Sequence, residues 1–159
     1  MKIRVGMGYD VHKLVSGRSL WLGGIQLEHT LGLQGHSDAD VLIHAICDAL
    51  LGAANLRDIG YHFPDTSADF EGIDSKILLK RTIALLAEKG WKVGNVDATV
   101  CAERPKLNPH IEAMKVCLAP LMEVDIEDMS IKATTTERLG FTGREEGISA
   151  YAVVLIERA

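Results

Sequence analysis

The sequence predicts an α+β fold in which helices pack on one face of a small sheet. One observation is the order of the apolar patterns, which read strand, helix, helix, strand, helix, strand and strand along the chain. Another is the composition, since 47% hydrophobic and 25% charged residues over 159 positions are typical of a globular domain. We find no internal repeat or linker-like stretch, so residues 1–159 are expected to form a single domain. A small sheet leaves an apolar face or edge to cover, which favours an oligomer.

The predicted strands carry alternating or continuous apolar residues. The first strand is expected at residues 2–13. Residues 19–28 are expected to form a strand or a hairpin, because Gly23 and Gly24 can supply the turn or a bulge. The remaining strands are expected at residues 91–102, 129–136 and 149–157. The last of these is apolar enough to be central in the sheet.

Three helices are predicted from apolar residues at helical spacing. The first runs from Asp38 to about residue 54, and the second spans residues 74–89 with Asp74 or Ser75 as its N-cap. Asn108 and Pro109 form an N-cap and N1 pair that opens the third helix, and Pro120 should end or kink it. Residues 55–72 read as an irregular loop.

Charge and cysteine content exclude several classes of protein. A net charge of −5 argues against nucleic acid as the main partner, since neutralising phosphates needs a basic face. No apolar run approaches the ~20 residues of a membrane span, and the N-terminus lacks a signal-peptide pattern. Cys47, Cys101 and Cys117 are too few and too widely spaced for a disulfide framework. We therefore expect a cytoplasmic bacterial protein without a membrane or nucleic-acid partner.

A candidate metal site combines a strand pair with a helical histidine. Asp10 and His12 project from the same face of the first strand, because side chains two apart share a face. If the first helix packs on that strand, His44 can meet them, and two nitrogens plus one oxygen suit zinc with a fourth position open. Asp48 would then orient a ligand from outside the coordination shell. The alternative is a chance Asp-x-His pair and a helical histidine satisfied by its neighbours.

Two further segments have features of phosphate sites, each with an ordinary structural alternative. His36 and Ser37 lie at the predicted start of the first helix, where free N–H groups attract anions, although Ser37 or Asp38 is equally a simple N-cap. Residues 132–144 combine three threonines, Glu137 and a Gly-x-x-Gly loop, which suits phosphate and magnesium, although threonines are also natural in strands. The strand-to-helix loop at residues 102–108 has exposed backbone groups that can recognise a base edge.

Together the motifs resemble those of the 2-C-methyl-D-erythritol 2,4-cyclodiphosphate synthases of the non-mevalonate isoprenoid pathway. The resemblance extends over nearly the whole chain. Its segments are Gly8–His12, His36–Asp40, His44, Asp48–Gly52, Asp58–Gly60, Phe63–Thr66, Gly94–Asp97 and Lys132–Gly143.

The resemblance implies a phosphorus–oxygen lyase that cyclises its substrate. It would convert 4-diphosphocytidyl-2-C-methyl-D-erythritol 2-phosphate into 2-C-methyl-D-erythritol 2,4-cyclodiphosphate and CMP. It implies a homotrimer of ferredoxin-like subunits with a mixed or antiparallel sheet, and active sites between subunits. A central apolar cavity would hold an isoprenoid diphosphate.

The resemblance also implies roles for individual residues. Zinc would be held by Asp10, His12 and His44, and magnesium or manganese by Glu137. His36 and Thr135 would be catalytic. The remaining substrate-binding positions would be Ser37, Asp48, Asp58, Gly60, Phe63, Asp65, Ala102, Lys106, Leu107, Ala133, Thr134, Phe141 and Arg144. Among these, the cytidine pocket would be formed by positions 102, 106, 107, 133 and 134 together with Thr135.

Two other functions share some of these features. A zinc-dependent nucleotide phosphohydrolase would use the same three metal ligands to activate water. A non-enzymatic trimeric isoprenoid-binding protein would use the metal as a structural element. Neither accounts for the cytidine loop, Glu137 and the Asp-x-His pair together.

Overall fold

The computed structural model describes residues 2–159, and its main feature is a five-stranded mixed sheet. The strands follow the order β4, β1, β7, β5, β6 across the sheet, and only β5 and β6 run parallel among the paired neighbours. A separate hairpin is formed by two further strands. The strands are β1 (Ile3–Val15), β2 (Leu20–Leu22), β3 (Ile25–Leu27), β4 (Gly32–Leu33), β5 (Trp91–Cys101), β6 (Met129–Thr134) and β7 (Gly147–Arg158).

The helices are α1 (Val41–Ala53), α2 (Ile59–His62), α3 (Ser75–Glu88), α4 (Ile111–Leu118) and α5 (Gly140–Gly143). Helix α1 packs on β1 and β7, α3 packs on β5, and α4 packs on β6. The strand residues beneath them are buried, as at Ala98 of β5 and Ala152 of β7. The predicted α+β class, with helices on one face of the sheet, is therefore confirmed.

Several predicted boundaries are wrong. Helix α1 begins at Val41 rather than at Asp38, and its N-cap is Asp40, whose carboxylate accepts the N–H of Ile43. The third helix begins at Ile111, because Asn108–His110 forms a separate 3₁₀ turn that contains the proline.

Short elements were also missed in segments predicted as loops or left without a prediction. They are β4, α2, α5 and the 3₁₀ turn at Ala68–Phe70. Each has two to four residues, which is too short for hydrophobic periodicity to reveal. The predicted hairpin turn is confirmed, since Gly23 and Gly24 join β2 to β3 and both have positive φ.

Helix α1 lies unusually close to β1, and two glycines make this possible. A Cβ atom built on Gly8 would lie 1.9 Å from the carbonyl oxygen of Ala45, and one built on Gly6 would lie 2.0 Å from that of Ala49. Both distances are far inside van der Waals contact, so only glycine fits at these two strand positions. On the helix side the contact is made by backbone atoms of Ala45 and Ala49 and by the Cβ atom of Ala53. The glycines therefore set the distance between α1 and β1.

The face of the sheet opposite the helices, which we call the open face, carries exposed apolar side chains. Alternate residues of β1 point to this face, and Val5 and Met7 are 65% and 64% exposed. Tyr9 packs against Tyr151 of β7 in a tilted arrangement, with ring centroids 4.8 Å apart. Val11 of β1 and Val153 of β7 extend the same surface.

No helix among residues 2–159 is long and apolar enough to cross a membrane.

We predict that Gly8→Ala destabilises the protein by about 3 kcal/mol, because the new methyl group must push α1 away from β1. Thermal or urea unfolding measures the change. The matched control is Gly52→Ala in α1, where an added Cβ atom meets no other atom within 4 Å. That control should stabilise the protein by about 0.5–1 kcal/mol, as expected for alanine in an exposed helical position. Equal effects of the two substitutions would contradict the close packing described here.

Candidate metal centre

The side chains of Asp10, His12 and His44 converge as the sequence predicts. The Nε2 atom of His12 lies 2.9 Å from Oδ2 of Asp10, and Nδ1 of His44 lies 3.1 Å from the same oxygen. The two nitrogens are 3.1 Å apart. Each residue therefore offers one ligand atom to a common point. We call these three residues the triad.

The elements that carry the triad explain its convergence. Asp10 and His12 extend the inward-facing series of β1 residues that begins with the two glycines. His44 lies in the first turn of α1, next to Ala45, which contacts Gly8. The close approach of helix and strand thus brings His44 directly above the strand pair.

The size and chemistry of the triad fit a divalent metal ion. Ligands bound to zinc at about 2.0–2.1 Å in a tetrahedron lie roughly 3.3 Å apart, so the triangle needs only slight expansion. Two imidazole nitrogens and a carboxylate oxygen are a common ligand set for this ion. A fourth position on the cavity side is left for a substrate atom or water.

The second nitrogen of His12 is also held as a metal site requires. Its Nδ1 atom lies 2.7 Å from the carbonyl oxygen of Gln34. Because a carbonyl oxygen only accepts, Nδ1 carries the proton and Nε2 is the atom available to a metal. A metal-bound histidine usually donates its other N–H in this way.

The three side chains also perturb one another's ionisation. Burial raises the pKa of Asp10, but hydrogen bonds and charges from His12 and His44 outweigh it and hold that pKa well below its usual range. Burial lowers the pKa of His12, but the Asp10 carboxylate outweighs this and raises it overall. Because a metal binds the neutral imidazole, metal binding must displace a proton from Nε2 wherever His12 is protonated.

Two other acidic residues on the face of α1 predicted to carry His44 have structural partners instead. Asp40 is fully buried, and its carboxylate accepts N–H groups from Gly23, Gly24 and Ile43. It therefore joins the hairpin turn to the start of α1, where it caps the N–H of Ile43. Burial raises the pKa of Asp40.

Asp48, a candidate for orienting a metal ligand, hydrogen-bonds to the start of a neighbouring helix. Its carboxylate accepts the N–H of Ile59 at 2.7 Å and so fixes the start of α2. Burial raises the pKa of Asp48.

A cavity of about 330 Å³ opens above the triad, and we call it the metal cavity. His36 and Ser37, the candidate phosphate-binding residues, line it on one side. The Nε2–H of His36 donates to the carbonyl oxygen of Ser67 at 2.8 Å, which anchors the loop over the cavity. The other predicted residues in its wall are Gly60, Phe63 and Asp65.

A second cavity, of about 250 Å³, forms where β6 ends and we call it the loop pocket. Every residue assigned to the cytidine pocket lines it: Ala102, Lys106, Leu107, Ala133, Thr134 and Thr135. The metal cavity and the loop pocket share no lining residue.

The register of the sheet gives the separation of the two cavities. Asp10 pairs with Ala150, Ala150 with Val100, and Val100 with Ala133. These residues form one row across the sheet, so the cavities open at the same end of the strands. Three strand spacings place them about 14 Å apart in one chain.

The remaining predicted residues lie outside both cavities. Asp58, Glu137 and Arg144 are exposed, and Arg144 pairs with Glu146. The backbone N–H of Glu137 donates to the Thr135 hydroxyl at 3.3 Å. Phe141 is 38% exposed on α5.

The structure adds a residue to which the sequence assigned no role. One carboxylate oxygen of Glu103 accepts the N–H groups of Thr136 and Arg138, at 3.2 and 3.0 Å. It thereby ties the loop pocket to the loop that carries Glu137, a residue with positive φ. Glu103 and its partners are more than 30 positions apart, so no local pattern reveals this contact.

Comparisons with known proteins find relatives in sequence and in fold. The 2-C-methyl-D-erythritol 2,4-cyclodiphosphate synthase of Phocaeicola vulgatus is 74% identical over 159 residues, which cover 100% of this chain and 99% of that one. The bifunctional IspDF of Campylobacter jejuni matches with a TM-score of 0.96 and 42% identity over 99% of this chain and 43% of its own. The Plasmodium falciparum IspF in complex with CDP matches with a TM-score of 0.86 and 32% identity over 98% and 96%.

The fold and the triad define an α+β protein with a candidate metal site beside a cavity. A family model described as the YgbB family matches residues 3–157. Because this match covers nearly the whole chain, the protein belongs to the YgbB family.

We predict that His44→Ala removes zinc binding while the fold is retained, because one of three ligands is lost from a half-buried position. The loss of affinity should exceed the roughly 10–100-fold typical of changes outside the coordination shell. Metal analysis after equilibrium dialysis gives the zinc content, and circular dichroism checks the fold. His110→Ala, a half-buried histidine before α4, is the control. Wild-type zinc content in the His44 variant would refute the triad.

Proposed function

We propose that this chain is a metal-dependent 2-C-methyl-D-erythritol 2,4-cyclodiphosphate synthase of non-mevalonate isoprenoid biosynthesis. It converts 4-diphosphocytidyl-2-C-methyl-D-erythritol 2-phosphate into 2-C-methyl-D-erythritol 2,4-cyclodiphosphate and CMP, as a phosphorus–oxygen lyase. The observation that carries the proposal is the convergence of Asp10, His12 and His44 on the wall of a cavity. Full-length relatives with this name, at 74% and 75% identity, support the reaction.

The reaction is an intramolecular phosphoryl transfer. An oxygen of the 2-phosphate forms a bond to the β-phosphorus, and the bond from that phosphorus to the bridging oxygen breaks. CMP leaves with the bridging oxygen and its electron pair. Two anionic groups must approach each other, so positioning and charge neutralisation are the main tasks of the protein.

The donor atoms of the chain match the proposed ions. Zinc is assigned to Asp10, His12 and His44, and magnesium or manganese to Glu137. Bound divalent ions supply Lewis-acid neutralisation of phosphate oxygens. The support at Glu137 is an exposed carboxylate 3.5 Å from the Thr135 hydroxyl, since magnesium usually combines one or two carboxylates with substrate phosphates.

The other proposed roles belong to residues of the two cavities and to four residues outside them. His36, Thr135 and Ser37 position the phosphates, with the first two in catalytic roles. Asp48 and the residues Asp58, Gly60, Phe63 and Asp65 shape the methylerythritol side, supported by the place of three of them in the metal cavity. The loop pocket takes the cytidine, and Phe141 and Arg144 complete the substrate-binding set. The solved CDP complex of a relative supports a nucleotide ligand for this fold.

The proposal includes a homotrimer of ferredoxin-like subunits, each a single domain of residues 1–159. The loop pocket of one subunit would face the metal cavity of its neighbour. Support comes from the separation of the cavities in one chain and from the apolar open face. A central cavity on that face would hold an isoprenoid diphosphate near Arg144. A cytoplasmic location is also proposed, supported by three cysteines that are free thiols.

Phosphorus NMR of the reaction tests this function directly. Incubation with the cytidylyl substrate, zinc and magnesium should give the cyclic diphosphate and CMP, and a chelator should stop the conversion. Hydrolysis fragments in place of the cyclic product would identify a phosphohydrolase. Metal-loaded protein that leaves the substrate intact would identify a binding protein instead.

We predict that Glu137→Gln keeps its zinc but loses the response of turnover to magnesium, because a neutral amide binds this ion far more weakly than a carboxylate. Zinc analysis and an activity titration with magnesium chloride measure the two effects. Glu127→Gln, an exposed change before the opposite end of β6, is the control and should titrate normally. A normal magnesium titration in the Glu137 variant would exclude that role.

A further inference from the structure

The second nitrogen of His44 has two hydroxyl neighbours, and these alone do not fix its proton. Its Nε2 atom lies 3.1 Å from the Ser37 hydroxyl oxygen and 2.9 Å from that of Ser75. A hydroxyl group can donate or accept, so either protonation state of Nε2 is compatible with a serine partner. The question matters because the proton must be on Nε2 if Nδ1 is to bind a metal.

The Ser75 hydroxyl is committed to one direction by Asp38. Its O–H group donates to Oδ1 of Asp38, and an ionised carboxylate only accepts hydrogen bonds. The hydroxyl proton is therefore used, and the Ser75 oxygen can only accept from His44. The Ser37 oxygen accepts the N–H of Ala39 at 3.1 Å, which leaves its direction towards His44 open, so Ser75 is the partner that decides.

Asp38 is itself held rigidly in place. Its Oδ1 accepts the N–H of Asp40 at 3.1 Å, and its Oδ2 accepts the N–H of Ser75 at 3.0 Å. Its own N–H donates to the carbonyl oxygen of Ile73 at 3.1 Å. Ser75 is fully buried, so its hydroxyl is shielded from bulk water.

The Asp10 carboxylate opposes this arrangement from the other side of the ring. Its Oδ2 lies 3.1 Å from Nδ1 of His44 and would accept a proton placed there. We propose that Asp38 and Ser75 are positioning residues that hold the His44 proton on Nε2, which keeps Nδ1 free for a divalent cation. The relay runs from Asp38 through Ser75 to His44.

The inference rests on the metal-binding part of the proposed function, but its test uses no substrate. The first measurement is the tautomer of His44 in metal-free wild-type protein labelled with ¹⁵N in its histidines, at about pH 9 where free histidine is neutral. The proton should be on Nε2 despite the nearby carboxylate. A wild-type proton on Nδ1 would overturn the inference without any variant.

The second measurement is zinc affinity by competition with a chelator. Ser75→Ala should move the His44 proton to Nδ1 and weaken zinc binding about 10–100-fold. Asp38→Ala should act in the same direction, because it frees the Ser75 hydroxyl to donate to His44. The double variant should lose no more zinc affinity than Ser75→Ala alone, since the two groups act in series.

Asp74→Ala is the matched control. Asp74 is the N-cap of α3 and adjoins Ser75, and it accepts the N–H of Lys76 without contacting His44. This variant should lower the melting temperature but leave the tautomer and the zinc affinity unchanged. If Ser75→Ala behaves like this control, or weakens zinc without moving the proton, the role of Ser75 is packing alone and the inference fails. Tight wild-type zinc binding combined with no cyclisation would instead contradict the proposed function and leave the relay intact.

Discussion

The close contact between α1 and β1 is the constraint on which the candidate site depends. Gly6 and Gly8 present no side chain to the helix, so the backbone of α1 lies almost directly on the strand. Only at this separation does His44 come within 3.1 Å of Asp10 and His12. The glycines contribute no ligand atom. They determine the position of the metal centre because a β-carbon at either position would displace the helix that carries the third ligand.

Sequence periodicity was sufficient for the triad and insufficient for the groups around it. Asp10 and His12 are two apart on a strand, and the helix that carries His44 is marked by its apolar spacing. Packing of that helix on the strand is then enough to predict that the three side chains meet. The role of Asp40 was missed because its partners lie in a hairpin 16 and 17 positions earlier. Ser75 appeared only as a possible helix cap, since its contact with His44 exists only after α1 and α3 have packed. Short elements such as β4 and α5 lack the length to show a period.

Several carboxylates in this protein, one buried and two half-buried, serve structural purposes. Asp40 accepts three backbone N–H groups and so joins the hairpin turn to the start of α1. Asp48 fixes a short helix over the metal cavity, and Glu103 organises the loop beside the second cavity. Some of the acidic residues of the chain therefore have structural roles. Charge count alone does not separate such residues from ligands, whereas their hydrogen-bond partners do.

Strand β1 presents two unlike surfaces, with Asp10 and His12 on one and Val5, Met7 and Tyr9 on the other. Both groups of side chains belong to the same strand. A protein surface bound to the apolar side is therefore separated from the metal-ligand atoms only by the backbone of β1. If binding of that surface shifts the strand and so changes the affinity for the cation, cation binding must change the affinity for the surface by the same factor. The ion and the covering surface would then be mutual effectors, and a dissociation constant for zinc would have meaning only at a stated protein concentration.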